Sequence, residues 1–207
     1  MSFFSPLACL PRCTLCLATV RTGRAFCDDC LVDLPWRTGP YRLEDNFLVW
    51  GSFWYDPPVS WLIHEAKFQK KAAICWHLGR LMASRPEPFH TLTPIVCPIP
   101  LPWQRQLQRG YNQSLLLGGA LAHDLGWSLE PEWLVRKGYR ASQRGLSRVG
   151  RLALDPGVFA ANKAVEGRKI LLVDDVCTTG ATLSAARQRL LAQGAEEVFA
   201  WVCAVVR

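Results

Sequence analysis

Short apolar runs alternate with stretches of helical periodicity along most of the chain. Apolar runs at 48–55, 94–100, 169–173 and 197–206, with a shorter one at 133–135, predict β-strands. Apolar residues recur at helical spacing over 59–68, 72–83, 115–125 and 181–193. Gly126 and Gly194 end the last two of these helices. Strands that alternate with helices predict an α/β fold, in which helices cover both faces of a parallel sheet.

Four cysteines near the start of the chain predict a separate metal-binding module. Cys13, Cys16, Cys27 and Cys30 form two C-x2-C pairs that ten residues separate. Each pair can chelate one ion from a tight turn, and four thiolates complete the tetrahedral shell of a structural zinc. We therefore predict a zinc-ribbon-like module over 1–45 and a main domain over 46–207.

Two alternatives to this ligand set stay open. A redox dithiol is one, although it leaves the second cysteine pair without a role. Cys9 is an alternative zinc ligand, because it lies four residues before Cys13. The other cysteines lie in apolar stretches, where we expect core positions: Cys75, Cys97, Cys177 and Cys203.

Composition and charge restrict the class of protein and its partners. The chain has 207 residues, of which 50% are hydrophobic and 20% charged, as in ordinary globular proteins. The sequence contains neither a membrane-spanning apolar run nor a secretory signal pattern, so we expect a cytoplasmic protein without membrane insertion. The net charge of +7 favours phosphates or nucleic acid as partners.

The excess positive charge lies outside the cysteine module, whose 45 residues carry five basic and five acidic side chains. It is densest over 136–151, a segment without acidic residues that we call the basic hood. A plain solvated face is the alternative interpretation of this segment. The basic residues of the hood are Arg136, Lys137, Arg140, Arg144, Arg148 and Arg151.

The strongest functional pattern follows the predicted strand at 169–173. The adjacent carboxylates of Asp174 and Asp175 come first and are suited to accept hydrogen bonds from the vicinal hydroxyls of a ribose. A Thr- and Gly-rich loop then opens a helix, whose free backbone N–H groups and threonine hydroxyls suit a phosphate. The loop residues are Thr178, Thr179, Gly180, Ala181 and Thr182. An ordinary strand–turn–helix is the alternative, but it leaves the paired carboxylates unexplained.

The segment ILLVDDVCTTGAT at 170–182 resembles the phosphoribosyl-pyrophosphate (PRPP) signature of type I phosphoribosyltransferases. Further motifs extend the resemblance to the ComF/GntX-like family: WLIHEAKFQKK at 61–71, VCPIPL at 96–101, QRGYNQS at 108–114 and SQRGLSR at 142–148. Members of this family are associated with natural competence, the uptake of DNA for transformation. The resemblance implies a type I phosphoribosyltransferase-like sheet behind the zinc module.

The resemblance also implies contacts for the pyrophosphate of PRPP. In type I enzymes the loop after the first core strand contacts pyrophosphate, which here indicates Arg109 and Gly110 at the end of 98–109. A mobile basic hood normally closes over the site, which indicates Arg144 and Arg148. Mg²⁺ would accompany PRPP and stabilise the leaving group. Thr178 stands where purine-salvage enzymes carry an acidic residue, so purine salvage is disfavoured.

Two hypotheses about function remain. The chain is either a DNA-uptake factor with a PRPP-binding domain, or an active Mg²⁺-dependent phosphoribosyltransferase whose acceptor is unidentified. We favour the first, with single-stranded DNA and a competence helicase as expected partners, since arginines can follow a nucleic-acid backbone as readily as a pyrophosphate. The catalytic residues and the oligomeric state cannot be inferred from the sequence.

Overall fold

A computed structural model describes residues 11–86, 88–137 and 156–207 of the chain. Its centre is a five-stranded sheet with the order β1–β2–β7–β6–β3. The first strand is antiparallel to β2, and the other four are parallel to one another. The strands are β1 (Pro40–Arg42), β2 (Leu48–Trp54), β3 (Ile95–Pro98), β6 (Lys169–Cys177) and β7 (Glu197–Val205), while β4 (Leu134–Arg136) and β5 (Phe159–Ala161) form a separate antiparallel pair.

Helices cover both faces of the sheet, as the alternating pattern predicts. The helices are α1 (Asp28–Val32), α2 (Val59–Phe68), α3 (Ala72–Ala83), α4 (Trp103–Arg109), α5 (Gln113–Leu125) and α6 (Ala181–Ala192). On β6, Leu171 and Val173 join the apolar cluster that contains residues of α2, α3 and α5. Ile170 and Leu172 join the cluster that contains residues of α6. This alternation is the period of two that places successive strand side chains on opposite faces.

A glycine allows α3 and α5, which cover the same face of the sheet, to approach each other closely. A Cβ atom at Gly79 of α3 would lie 2.6 Å from the carbonyl oxygen of Leu117 in α5. An ion pair joins the same helices at the surface, with Arg80 Nε 2.9 Å from Asp124 Oδ2. The layer is therefore closely packed where it supports β6. Among the described helices, none is long and apolar enough to cross a membrane.

Most predicted elements agree with the structure. The helices α2 and α3 have the predicted bounds, and the strands near 48–55, 94–100 and 197–206 differ only by a few residues at their ends. The strand predicted at 169–173 instead continues to Cys177, because Val176 and Cys177 pair with β7 beyond the acidic residues. The segment 98–109, expected to be a loop, contains α4.

The cysteine module packs against the main sheet. Trp36 stacks on Phe53 of β2 with ring centroids 4.5 Å apart, and its Nε1 donates to the carbonyl oxygen of Leu31 at 2.9 Å. The guanidinium of Arg85, just after α3, lies over the Trp36 ring, with its central carbon 3.8 Å from the ring centroid. Four buried residues of the module, Cys13, Val20, Phe26 and Leu34, belong to the same apolar cluster as α2 and α3, whereas Leu43 belongs to the cluster of α6. The hairpin β1–β2 crosses the boundary that we predict between 45 and 46, and that division stays a prediction.

Candidate functional site

A cleft of about 320 Å³ opens at the carboxyl ends of the parallel strands. It lies between the end of β6, the segment after β3 and the side of α2. In open α/β sheets ligands bind at this edge, because the loops and helix N-termini that follow the strands meet there. The polar and charged lining residues are Tyr55, Lys67, Arg105, Arg109, Arg136, Asp174, Asp175, Thr178 and Thr182.

The loop between β6 and α6 forms one wall of the cleft. Gly180 stands just before α6 with φ 76° and ψ 0°, the left-handed conformation that favours glycine. A Cβ atom at this position would also overlap the buried side chain of Leu43. Thr179 Oγ1 accepts a hydrogen bond from the backbone N–H of Ala181 at 3.4 Å. The turn therefore leads directly into the twelve-residue α6, and Thr178 and Thr182 face the cleft.

Asp174 is held by hydrogen bonds from two directions. Its Oδ1 accepts from the Ser114 hydroxyl at 2.7 Å and from the backbone N–H of Asp175 at 2.9 Å. Burial and the negative charge of Asp175 raise the pKa of Asp174 to about 7, although both hydrogen bonds oppose this shift. Ser114 lies in the first turn of α5, where Asn112 caps the helix by accepting from the Ser114 backbone N–H at 3.0 Å. The beginning of α5 thus positions a carboxyl group of β6.

Asp175 forms an ion pair with Lys67 of α2, with Nζ 2.9 Å from Oδ2. Both side chains are largely removed from solvent, with 18% and 15% of their surface exposed. The two aspartates offer the carboxylate oxygens that Mg²⁺ prefers, so the cleft fits an ion brought in with a sugar phosphate. The ion pair with Lys67 opposes such a fit, because it already places a positive charge beside Asp175.

Three arginines surround the remainder of the cleft. Arg105 and Arg109 come from α4, and Arg136 comes from the end of β4. Arg109 donates from its guanidinium to Gln113 Oε1 at 3.0 Å, which fixes its direction. Burial, together with the nearby charge of Arg105, lowers the pKa of Arg136. With Lys67, these side chains place four positive charges against two carboxylates, which suits a ligand with several negative charges.

The cleft brings together part of the predicted site. Asp174, Asp175, Thr178, Thr182 and Arg109 line it, and the other predicted loop residues, Thr179, Gly180 and Ala181, form the turn beside it. Gly110 ends α4 in the left-handed conformation and is not among the lining residues. Arg144 and Arg148 lie outside the described residues.

Lys67, Ser114 and Arg105 were not among the residues predicted to bind the ribose phosphate. Lys67 and Ser114 belong to the motifs at 61–71 and 108–114, so the resemblance contained a signal for both. Arg105 lies in the segment 98–109 that the resemblance associates with pyrophosphate, but the helix that directs it into the cleft was not predicted.

The four predicted zinc ligands form a second candidate site in the N-terminal module. The sulfur atoms of Cys13, Cys16, Cys27 and Cys30 lie within 4.8 Å of one another. Four ligands about 2.3 Å from a tetrahedral zinc are separated by about 3.8 Å, so the cluster fits this ion. Cys27 caps α1, with its Sγ 3.5 Å from the backbone nitrogen of Cys30. Burial opposes ionisation of Cys13, but neighbouring backbone N–H groups lower its pKa to about 6, which favours the thiolate.

The fold and the cleft define the class of this protein as one with a phosphoribosyltransferase-type domain. The family model for the phosphoribosyl transferase domain matches residues 113–205, from the start of α5 to the end of β7. This range contains the paired aspartates, the threonine loop and Ser114. A solved glutamine PRPP amidotransferase from B. subtilis is similar in structure, with 21% identity and a TM-score of 0.45, and the similarity covers 64% of this chain and 26% of that one.

Curated relatives identify the particular family. The DNA utilization protein YhgH of Escherichia coli K12 is 32% identical over 202 residues, which cover 91% of this chain and 88% of the relative. Competence protein F of Haemophilus influenzae is 31% identical over 201 residues, which cover 92% and 83%. The chain therefore belongs to the ComF-like family of YhgH and competence protein F.

Proposed function

We propose that this protein is a factor for the uptake or use of DNA whose cleft binds PRPP or a related ribose phosphate. Relatives named for competence and DNA utilization support the first part. The observation that carries the second part is the position of the acidic pair near the end of β6, separated by two residues from the threonine loop that leads into α6. We also propose a cytoplasmic location, because a cluster of four cysteines that suits a metal ion is typical of proteins in a reducing compartment.

The three chemical groups of PRPP match three parts of the cleft: the loop before α6, the pair of aspartates and the arginines. The 5-phosphate would accept hydrogen bonds from the loop and from the N-terminus of α6. The ribose hydroxyls would donate to Asp174 and Asp175. The pyrophosphate would lie toward Arg105 and Arg109, whose planar guanidinium groups suit bidentate contacts with phosphate. Mg²⁺ bound with this ligand would neutralise pyrophosphate charge.

Calorimetry with PRPP and Mg²⁺ tests the ligand assignment. The double variant Asp174→Asn/Asp175→Asn should lose at least about a hundredfold in affinity, since two charged acceptors for the ribose are removed. The double variant Glu196→Gln/Glu197→Gln is a matched control, because this acidic pair lies at the opposite end of β6 and β7. Equal PRPP affinity in wild type and in the aspartate variant would show that the ribose assignment is wrong.

An active phosphoribosyltransferase is the second candidate function. The arginines of the cleft favour it, because they are placed to stabilise the charge of a departing pyrophosphate. Pyrophosphate release from PRPP with Mg²⁺ and candidate acceptors, single-stranded DNA among them, distinguishes the two functions. A binding factor gives release no faster than PRPP alone, whereas an enzyme gives release that depends on one acceptor.

We propose that the basic hood and the lysines of 67–71 bind single-stranded DNA, and that a competence helicase is a further partner. Gel shifts at rising salt test the DNA contact, since binding through phosphates weakens steeply with ionic strength. Arg144→Ala/Arg148→Ala should lower both the affinity and the salt dependence. Arg21→Ala/Arg24→Ala, in the cysteine module, is the control with the same loss of charge. Binding that does not change with salt, or that residues 1–45 reproduce alone, contradicts this location.

A further inference from the structure

Lys67 carries a positive charge from the side of α2 into the cleft. Its ammonium group lies 2.9 Å from Asp175, and only 18% of the side chain is exposed. Lys71, beyond the end of α2, is by contrast more than half exposed and pairs with Glu65. Lysines are seldom withdrawn from water to this extent without an oppositely charged partner. The ion pair with Asp175 is therefore part of the construction of the site.

This ion pair reduces the negative charge that the two aspartates offer to a divalent cation. Asp175 already has a positive charge at contact distance. Asp174 Oδ1 already accepts hydrogen bonds from the Ser114 hydroxyl and from the backbone N–H of Asp175. Arg105, which also lines the cleft, adds further positive charge. The two aspartates consequently attract a second cation less strongly than two free carboxylates would.

We propose that Lys67 is a built-in cation that competes with a divalent metal ion for Asp175 and reduces the need for metal when the cleft binds a sugar phosphate. The part that concerns the sugar phosphate rests on the proposed function. Lys67 holds Asp175 in position while the cleft is empty. When a phosphorylated ligand binds, the same ammonium and the neighbouring arginines balance its charge directly. Lys67 is thus a positioning residue that sets how strongly metal and ligand depend on each other.

Titration of the zinc-loaded protein with Mn²⁺ alone, followed by electron paramagnetic resonance, tests the competition without any sugar ligand. Mn²⁺ favours the same oxygen donors as Mg²⁺. Lys67→Met should bind Mn²⁺ about tenfold more tightly than wild type, because one competing charge is removed. Adding Asp175→Asn to this variant should abolish the gain. Lys67→Gln, which keeps a hydrogen-bond donor, should give the same increase and serves if Lys67→Met fails to fold.

The matched control is Lys169→Met, which removes a lysine paired with acidic residues at the opposite end of β6. It should bind Mn²⁺ as wild type does, and so should Lys67→Arg, which keeps the charge. Mn²⁺ affinity within about twofold of wild type in both neutral variants of Lys67 overturns the proposal.

PRPP calorimetry of the zinc-loaded protein, with Mg²⁺ and in buffer without Mg²⁺ or chelator, gives a second, independent readout. Wild type should lose less than about tenfold in affinity without Mg²⁺, whereas Lys67→Met should lose more than about a hundredfold and recover in Mg²⁺. The proposal is overturned if the PRPP affinity of Lys67→Met falls below that of wild type by the same factor in both buffers. If wild type binds PRPP in neither buffer, the proposed function fails, and the Mn²⁺ titration still decides the role of Lys67.

Discussion

The cysteine module and the sheet domain obtain their structure from different sources. The strands β6 and β7 consist largely of buried apolar side chains, whereas α1 in the module buries none of its residues. The cluster of four cysteines brings the two C-x2-C segments of the module into contact. A small module with few buried residues needs a metal or another cross-link to fold, while the sheet gains its stability from apolar burial.

The two regions are nevertheless not independent. Cys13 and Phe26 of the module are buried in the same apolar cluster as Leu62 and Leu78 of the helices that cover the sheet. Trp36 provides a further contact by stacking on Phe53. Metal at the module should therefore influence the helix layer that carries Lys67, even though the cluster and the cleft are separate sites.

Removal of zinc should produce the largest effect. Zinc binding of this kind contributes on the order of 10 kcal/mol to folding, so chelation or Cys13→Ser should unfold the module. Trypsin should then cleave at Arg21, Arg24 or Arg37, while circular dichroism shows that the sheet domain persists with a lower Tm. Cys75→Ser, a buried cysteine outside the module, should retain one zinc per chain. Less than about half a zinc per chain in the wild-type protein contradicts this account.

A substitution at the phosphate loop should produce a smaller but local effect. Gly180→Ala combines left-handed strain with overlap against Leu43 and should cost about 2–4 kcal/mol of unfolding free energy. Gly126→Ala is the matched control, because its φ of 69° carries strain while nothing lies within 4 Å of the added Cβ. It should cost only about 1 kcal/mol. Denaturant unfolding measures both. Equal costs would show that Leu43 does not confine the loop.

The smallest predicted effect concerns the pH dependence of stability. Because the pKa of Asp174 is raised above its unfolded value, its contribution to stability is lost as pH rises toward and through about 7. Asp174→Asn, which can still accept from Ser114, should therefore raise Tm at pH 8 by roughly 2–4 °C, equivalent to about 1 kcal/mol. The two proteins should melt alike at pH 4. A lower Tm for the variant at pH 8 contradicts the assigned charge state. The exposed Glu196→Gln is the control.

The sequence predicted the sheet domain better than the cleft for physical reasons. Strands and helices such as β7 and α3 have a regular apolar period, and that period is a local property of the chain. The short α4 has no such period and buries none of its residues, so its pattern resembled a loop. The hydrogen bond from Ser114 to Asp174 joins residues 60 positions apart, which local patterns do not encode. The motifs contained Lys67, Ser114 and the two aspartates but did not show which of these residues contact one another.

A crystal structure of the protein with PRPP and Mg²⁺ tests the central claim most directly. We expect the 5-phosphate to bind in the loop formed by 178–182, at the N-terminus of α6. We also expect the ribose hydroxyls to lie within hydrogen-bonding distance of Asp174 and Asp175, with the pyrophosphate toward Arg105 and Arg109. A 5-phosphate bound elsewhere, or a ribose that contacts neither aspartate, would contradict the assignment of this cleft as a ribose-phosphate site.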